Sequence, residues 1–155
     1  MNKVNIMRKM DQDGLLLCDL QGNAFELSIQ LTSTSSEIFM RRFMNSKMVK
    51  MIDNESVLQM NIQPKDIIKW VEEEYKESKY GSVKYTKNEM YWIGYLYRYW
   101  HFYKNESSVK IYKQAPAKIM KRNYLIFHTM APELAIDDLK EINEQKGKVN
   151  NRDIL

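Results

Sequence analysis

The chain has 155 residues, 44% of them hydrophobic and 28% charged, with a formal net charge of +4. That length suits one domain able to bury roughly two-thirds of its unfolded surface, and the balance excludes a disordered body, so a single domain is expected over 1–145. Cys18 is the only cysteine, which excludes an intrachain disulfide and a cysteine-based zinc site and fits a reducing, cytoplasmic compartment.

The first thirteen residues interleave Lys3, Arg8, Lys9 and Asp11 with short apolar stretches. They contain no continuous apolar core of a leader, so no signal peptide is expected. No apolar run approaches the ~20 residues of a membrane helix. Next, 14–20 is short and apolar, and 24–30 alternates Phe25, Leu27 and Ile29 with polar residues around a Gly22-Asn23 step. This pattern predicts an N-terminal β-hairpin over 14–30. Thr32 to Ser36 supply helix-capping side chains and Glu37 suits a first turn. A helix is predicted from there to about 52, with Met40, Met44, Met48 and Met51 along one face. The eleven methionines either fill the core or line an adaptable partner surface.

Pro64 fits a first helical position, with Ile67, Val71 and Tyr75 as the apolar stripe and Gly81 at or just past the end. Thr86 and Glu89 have the spacing of a capping box. The helix they open, through about 103, is the most distinctive stretch. Trp92, Ile93, Leu96, Tyr99, Trp100 and Tyr103 fall on one side, and Tyr91, Tyr95, Arg98 and Phe102 on the other. A helix apolar on both sides is a central one. Gly94 within it costs about 1 kcal/mol of helix propensity, which close approach of another backbone would justify. A short helix over 109–114, a break at Ala115-Pro116-Ala117, a helix over 118–129 and a last amphipathic helix from Pro132 complete the series, with a polar tail over 146–155. The predicted fold is mainly α: a bundle of about five helices with the N-terminal hairpin.

Charge is unevenly spread. Residues 79–122 carry ten Lys/Arg against two Asp/Glu, while 1–78 carry ten against twelve and 123–155 four against six. A basic middle between acidic flanks points to an acidic or polyanionic partner, unless the flanks fold back and neutralise it. The helix–turn–helix outline over 109–129, with Lys118, Lys121 and Arg122 on one face, makes DNA a candidate partner. Arg122 and His128 are similar to the Arg…His motif of the all-helical HEPN ribonucleases. That resemblance implies an arginine stabilising phosphate charge and a histidine moving protons. A packed histidine is the competing reading. Otherwise no catalytic constellation is found, and two histidines and one cysteine give no metal spacing, so neither metal nor cofactor is expected.

The run Tyr80-Gly81-Ser82-Val83-Lys84-Tyr85-Thr86, followed by the aromatic run 89–100 ending in Arg98-Tyr99-Trp100, resembles a family of uncharacterised small bacterial proteins encoded beside toxin-like genes. The stretches 35–46 and 124–133 are similar to it as well; Ala131-Pro132 departs from the family's Asp-Pro step. The resemblance implies an antitoxin-like protein that binds and neutralises a toxin-like partner, with helix-turn-helix autoregulation as an addition. It carries no catalytic residues. On this reading Tyr91, Tyr95, Arg98 and Phe102 are the candidate partner contacts, provided that their face is not buried within the domain. Lys118, Lys121 and Arg122 are the candidate nucleic-acid contacts. A DNA-binding regulator, a HEPN-like ribonuclease and a phage-encoded inhibitor of bacterial defence are the alternatives. Self-association into a homodimer stays open, and no membrane partner is expected.

Overall fold

The computed structural model describes residues 10–76 and 78–154, with side chains through Lys148. The reading of 1–13 as lacking a leader falls largely outside them. Among the described residues eight α-helices follow one another: α1 (Gln12–Leu31), α2 (Ser36–Met44), α3 (Lys47–Asp53), α4 (Pro64–Tyr75), α5 (Lys87–Lys104), α6 (Ser108–Gln114), α7 (Ala117–Phe127) and α8 (Pro132–Ile154). A 3-10 turn, Ser56–Gln59, joins α3 to α4. The chain is therefore mainly α, with more helices than the five expected. No helix of the described residues is long and apolar enough to cross a membrane.

The expected hairpin is absent, since 14–30 lies within the 20-residue α1. The alternation of Phe25, Leu27 and Ile29 matched a strand, but the buried positions carry the helical period. Gly14, Leu17, Cys18, Gln21, Gly22, Ala24, Phe25 and Ser28 are buried, in a stripe that returns every three or four residues. Asp11 caps the helix, accepting the Gly14 N–H at 2.7 Å. Gly22, read as a turn, is a packing residue. A Cβ there would lie 2.8 Å from the Tyr91 ring and 3.1 Å from its carbonyl oxygen. Gly94 answers from α5, where a Cβ would lie 2.7 Å from the Gln21 carbonyl oxygen. Two glycines thus let α1 and α5 approach nearly backbone to backbone.

The single helix expected over 37–52 is two. Ser46 ends α2 by donating its hydroxyl to the Phe43 carbonyl at 2.7 Å and caps α3 by accepting the Val49 N–H at 3.0 Å. A serine whose side chain competes for the backbone breaks a helix that its apolar face would otherwise continue. Met40, Met44 and Met48 are fully buried beside Phe25, Phe39 and Phe43, so these methionines fill the core. The Phe25 ring stands edge-on to Phe39 and Phe43, with centroids 5.5 and 4.9 Å away.

Gly81 lies well past the end of α4, in an extended segment over 78–86 that runs along the start of α2. Ser35 and Ser36 donate their N–H groups to the Tyr80 and Val83 carbonyls, both at 2.9 Å. Arg42 reinforces this seam: its guanidinium sits between the Tyr75 and Tyr80 rings and donates to Ser78 Oγ at 2.6 Å. The capping box of α5 forms as spaced: Thr86 N–H donates to Glu89 at 2.9 Å, and Glu89 N–H donates to Thr86 Oγ1 at 3.2 Å. Residues 146–154, expected as a tail, continue α8 as helix.

Candidate binding surfaces

Helix α5 is enclosed by α1, α6, α7 and α8, so its candidate contacts divide. Arg98 points inward and is fully buried. Its guanidinium donates to Asp53 Oδ1 at 2.6 Å, Gln21 Oε1 at 2.9 Å and Ser108 Oγ at 3.2 Å. Asp53 also accepts the Ser108 N–H at 3.0 Å and its hydroxyl at 2.6 Å. Burial opposes the Asp53 anion, but Arg98 and the Ser108 donors outweigh it and hold the carboxyl below its ordinary value. This network ties α1, α3, α5 and α6 together and leaves Arg98 nothing to offer a partner. Directly bonded members lie up to 77 residues apart, with no spacing to betray them; the only signal was a lone arginine inside an aromatic helix.

His101 joins the edge of the network, its Nδ1 2.7 Å from the Glu106 carbonyl oxygen and its Nε2 3.1 Å from that of Asp53. Burial and the neighbouring Arg98 push its pKa below the ordinary value, against the pull of Asp53. Both ring nitrogens thus face carbonyl oxygens at the edge of the network. Glu106, half-buried, is the second anchor. Burial alone would raise its carboxyl, but Lys140 at 2.9 Å, the Trp100 indole N–H at 2.7 Å and Lys110 at 3.2 Å lower it from 4.5 to about 2. With the folded pKa below the unfolded one, this stabilisation is complete above about pH 4.5 and vanishes as pH falls through about 2. Allowing for solvent screening, it amounts to roughly 1–2 kcal/mol. Acid titrations followed by circular dichroism should show a shallower loss of stability over that window in Glu106→Gln than in the parent.

The tyrosines of α5 turn partly outward. Tyr91, Tyr95 and Tyr99 follow one another at 5.9 and 6.3 Å between ring centroids. The outer hydroxyls are engaged by acids: Tyr91 donates to Asp19 of α1, Tyr99 to Glu133 and Tyr103 to Asp137 of α8. Burial first, then these carboxylates, push the Tyr91 and Tyr99 hydroxyls well up. The tyrosine face of α5 is thus lined with carboxylates where it reaches solvent. Acidic α1 and α8 fold against the basic middle, as the competing reading of the charge allowed. Phe102 is half-buried against the core.

Helix α7 carries the exposed cations. Lys118, Lys121 and Arg122 are all exposed, and Lys121 pairs with Glu89 at 3.3 Å and lies over the Tyr85 ring. Lys118 and Arg122 share a depression of about 330 Å³ with Arg41, Lys146 and Glu37. Ile126 is 69% exposed, beside Leu125 at 79%. The outward face of α7 is therefore basic in its first half and apolar in its second. Arg122 and His128 line different depressions. His128 stacks on Tyr124 at 4.4 Å, with Nδ1 2.7 Å from that residue's carbonyl oxygen. The Arg…His pair is thus split between two depressions. Among the described residues no group of three or more His, Cys, Asp and Glu could hold a metal ion.

No protein-family model, no curated protein and no solved structure matches the chain.

Proposed function

We propose that the protein is an antitoxin-like regulator that binds and masks an acidic partner protein through the outward face of α7. One observation carries the binding part of this reading: adjacent leucine and isoleucine side chains, Leu125 and Ile126, stand in solvent on a helix whose preceding turns present Lys118 and Arg122. Single exposed aliphatic residues are ordinary, but a contiguous pair flanked by like charges has the composition of a docking face. Cations at its edge would speed the encounter, and the apolar pair would hold the complex. The antitoxin part rests on the resemblance of 80–100 to proteins encoded beside toxin-like genes. Tyr91 and Tyr95 remain candidate contacts at the margin; Arg98 does not.

The test is co-expression with the product of the neighbouring gene, followed by pull-down and growth rescue. Leu125→Asp with Ile126→Asp should abolish capture, a loss of at least about 2 kcal/mol, while the helical circular dichroism stays unchanged. Failure of the parent protein to retain that product overturns the reading.

A DNA-binding regulator is the second reading, favoured by the four cations Arg41, Lys118, Arg122 and Lys146 around one depression. Retention on DNA should then fall steeply with salt, and Lys118→Ala and Arg122→Ala should each lower the slope of log K against log salt by about 1. Salt-independent behaviour removes this option.

A further inference from the structure

On the flank where the first turns of α5 meet α1 and the end of α7 lies an open depression of about 570 Å³. Its walls are aromatic: Tyr91, Trp92, Tyr124 and His128. Trp92 and Tyr124 stand nearly perpendicular, with centroids 5.6 Å apart and planes at 75°, so they form two sides of a corner. Its rim is polar and acidic, carrying Asn23, Asn88 and the carboxylate of Glu26. Among the described residues no ion pair or hydrogen bond is formed by the Glu26 side chain. Lys87, which shares an adjoining depression of about 230 Å³ with Glu26, leaves it unpaired as well. A second carboxylate stands behind the wall. Asp19 accepts the Tyr91 hydroxyl and the Asn23 amide, the latter at 3.2 Å. A phenol donating to a carboxylate has a more electron-rich ring, and the negative face of such a ring attracts cations.

From this geometry we infer that the depression is an aromatic cage for an arginine side chain of a bound polypeptide. Aromatic walls, Tyr124 with one face taken by His128, and an unpaired carboxylate complement a cation, and no lysine or arginine lines the depression to favour a phosphate. Among cations, arginine fits best. Its planar guanidinium stacks on a ring while its edge donates to Glu26 and to the Asn23 or Asn88 carbonyl. A quaternary ammonium has no N–H to satisfy those acceptors, and a neutral nucleobase can donate an amino N–H to the carboxylate but brings no charge to match it. The site adjoins the proposed α7 docking face through Tyr124 and His128, but an arginine bound there needs no contact with Leu125 or Ile126.

The experiment is a nitrogen–proton NMR titration of the full chain with N-acetyl-arginine amide. N-acetyl-trimethyllysine amide and adenosine are run as parallel arms. The indole N–H of Trp92 is the reporter, with those of Trp70 and Trp100 as internal references. Saturable shifts confined to Trp92 and the amides around 91 and 124 are expected with the arginine probe. Glu26→Gln, a change at a partly exposed side chain outside the core, should weaken it about threefold. Tyr124→Ala should weaken it about fivefold. Three outcomes overturn the proposal: no shift of Trp92 at tens of millimolar arginine probe, tighter binding of trimethyllysine or adenosine, or undiminished arginine binding in Glu26→Gln and Tyr124→Ala together.

Discussion

Replacing Asp53 by alanine is expected to cost about 3–5 kcal/mol of unfolding free energy, because it strands a guanidinium that no water reaches. Arg98 is wholly inside the protein, and Asp53 is its only anionic partner among the described residues. The substitution also removes two hydrogen bonds from Ser108, at the start of α6. Urea unfolding should show the midpoint falling with little change in slope, and the melting temperature should drop by roughly 10 °C for a chain of this length. Removing both charges together, as Arg98→Met with Asp53→Leu, should recover much of the loss, since a buried ion pair is worth little over a well-packed apolar pair. If Asp53→Ala melts within a degree or two of the parent, the network does not bear on stability as described.

Gly94→Ala is expected to destabilise the protein by about 2–3 kcal/mol, although alanine is the better helix former by about 1 kcal/mol. The added methyl would sit 2.7 Å from the Gln21 carbonyl oxygen and 2.7 Å from Phe25 Cγ. Neither neighbour can move away: one is helix backbone, and the other is a buried ring fixed between Phe39 and Phe43. Helices α1 and α5 must therefore separate, and the cost exceeds the gain in propensity. Gly147→Ala is the control. Nothing lies within 4 Å of a Cβ there, so the same chemical change should be neutral or slightly stabilising. Thermal melts of the two variants side by side check the sign of each.

The elements whose boundaries are written in local chemistry were legible in the sequence. Pro64 starts α4, Thr86 and Glu89 frame α5, and Ala115-Pro116 separates α6 from α7. The centrality of α5 followed from its two apolar sides. What failed did so where local signals were ambiguous. Gly22-Asn23 has the composition of a tight turn, and only a partner glycine 72 residues away in α5 makes it a helix crossing. Ser46 lies in a sound amphipathic pattern, and nothing nearby says that its hydroxyl will take the Phe43 carbonyl. Periodicity placed Arg98 on the same face as Tyr91 and Tyr95, but it does not say which face finds an aspartate. The α7 face was half legible: its cations share one face by spacing alone, while nothing local marks Leu125 and Ile126 as exposed. The arginine cage draws on α1, α5 and α7, and no motif in one segment could reveal it.

The crossing of α1 and α5 also holds the chain's single thiol. Cys18 is completely buried on the inner side of α1, and burial pushes its thiol up to about 12. At neutral pH it is both un-ionised and out of reach of any reagent. A disulfide-exchanging dye can therefore modify it only when α1 lifts away. The rate of colour development in native buffer then times the opening of this helix pair, without any label having to be engineered. Comparing that rate in the parent and in Gly94→Ala would show whether the crossing opens locally or only when the whole molecule unfolds.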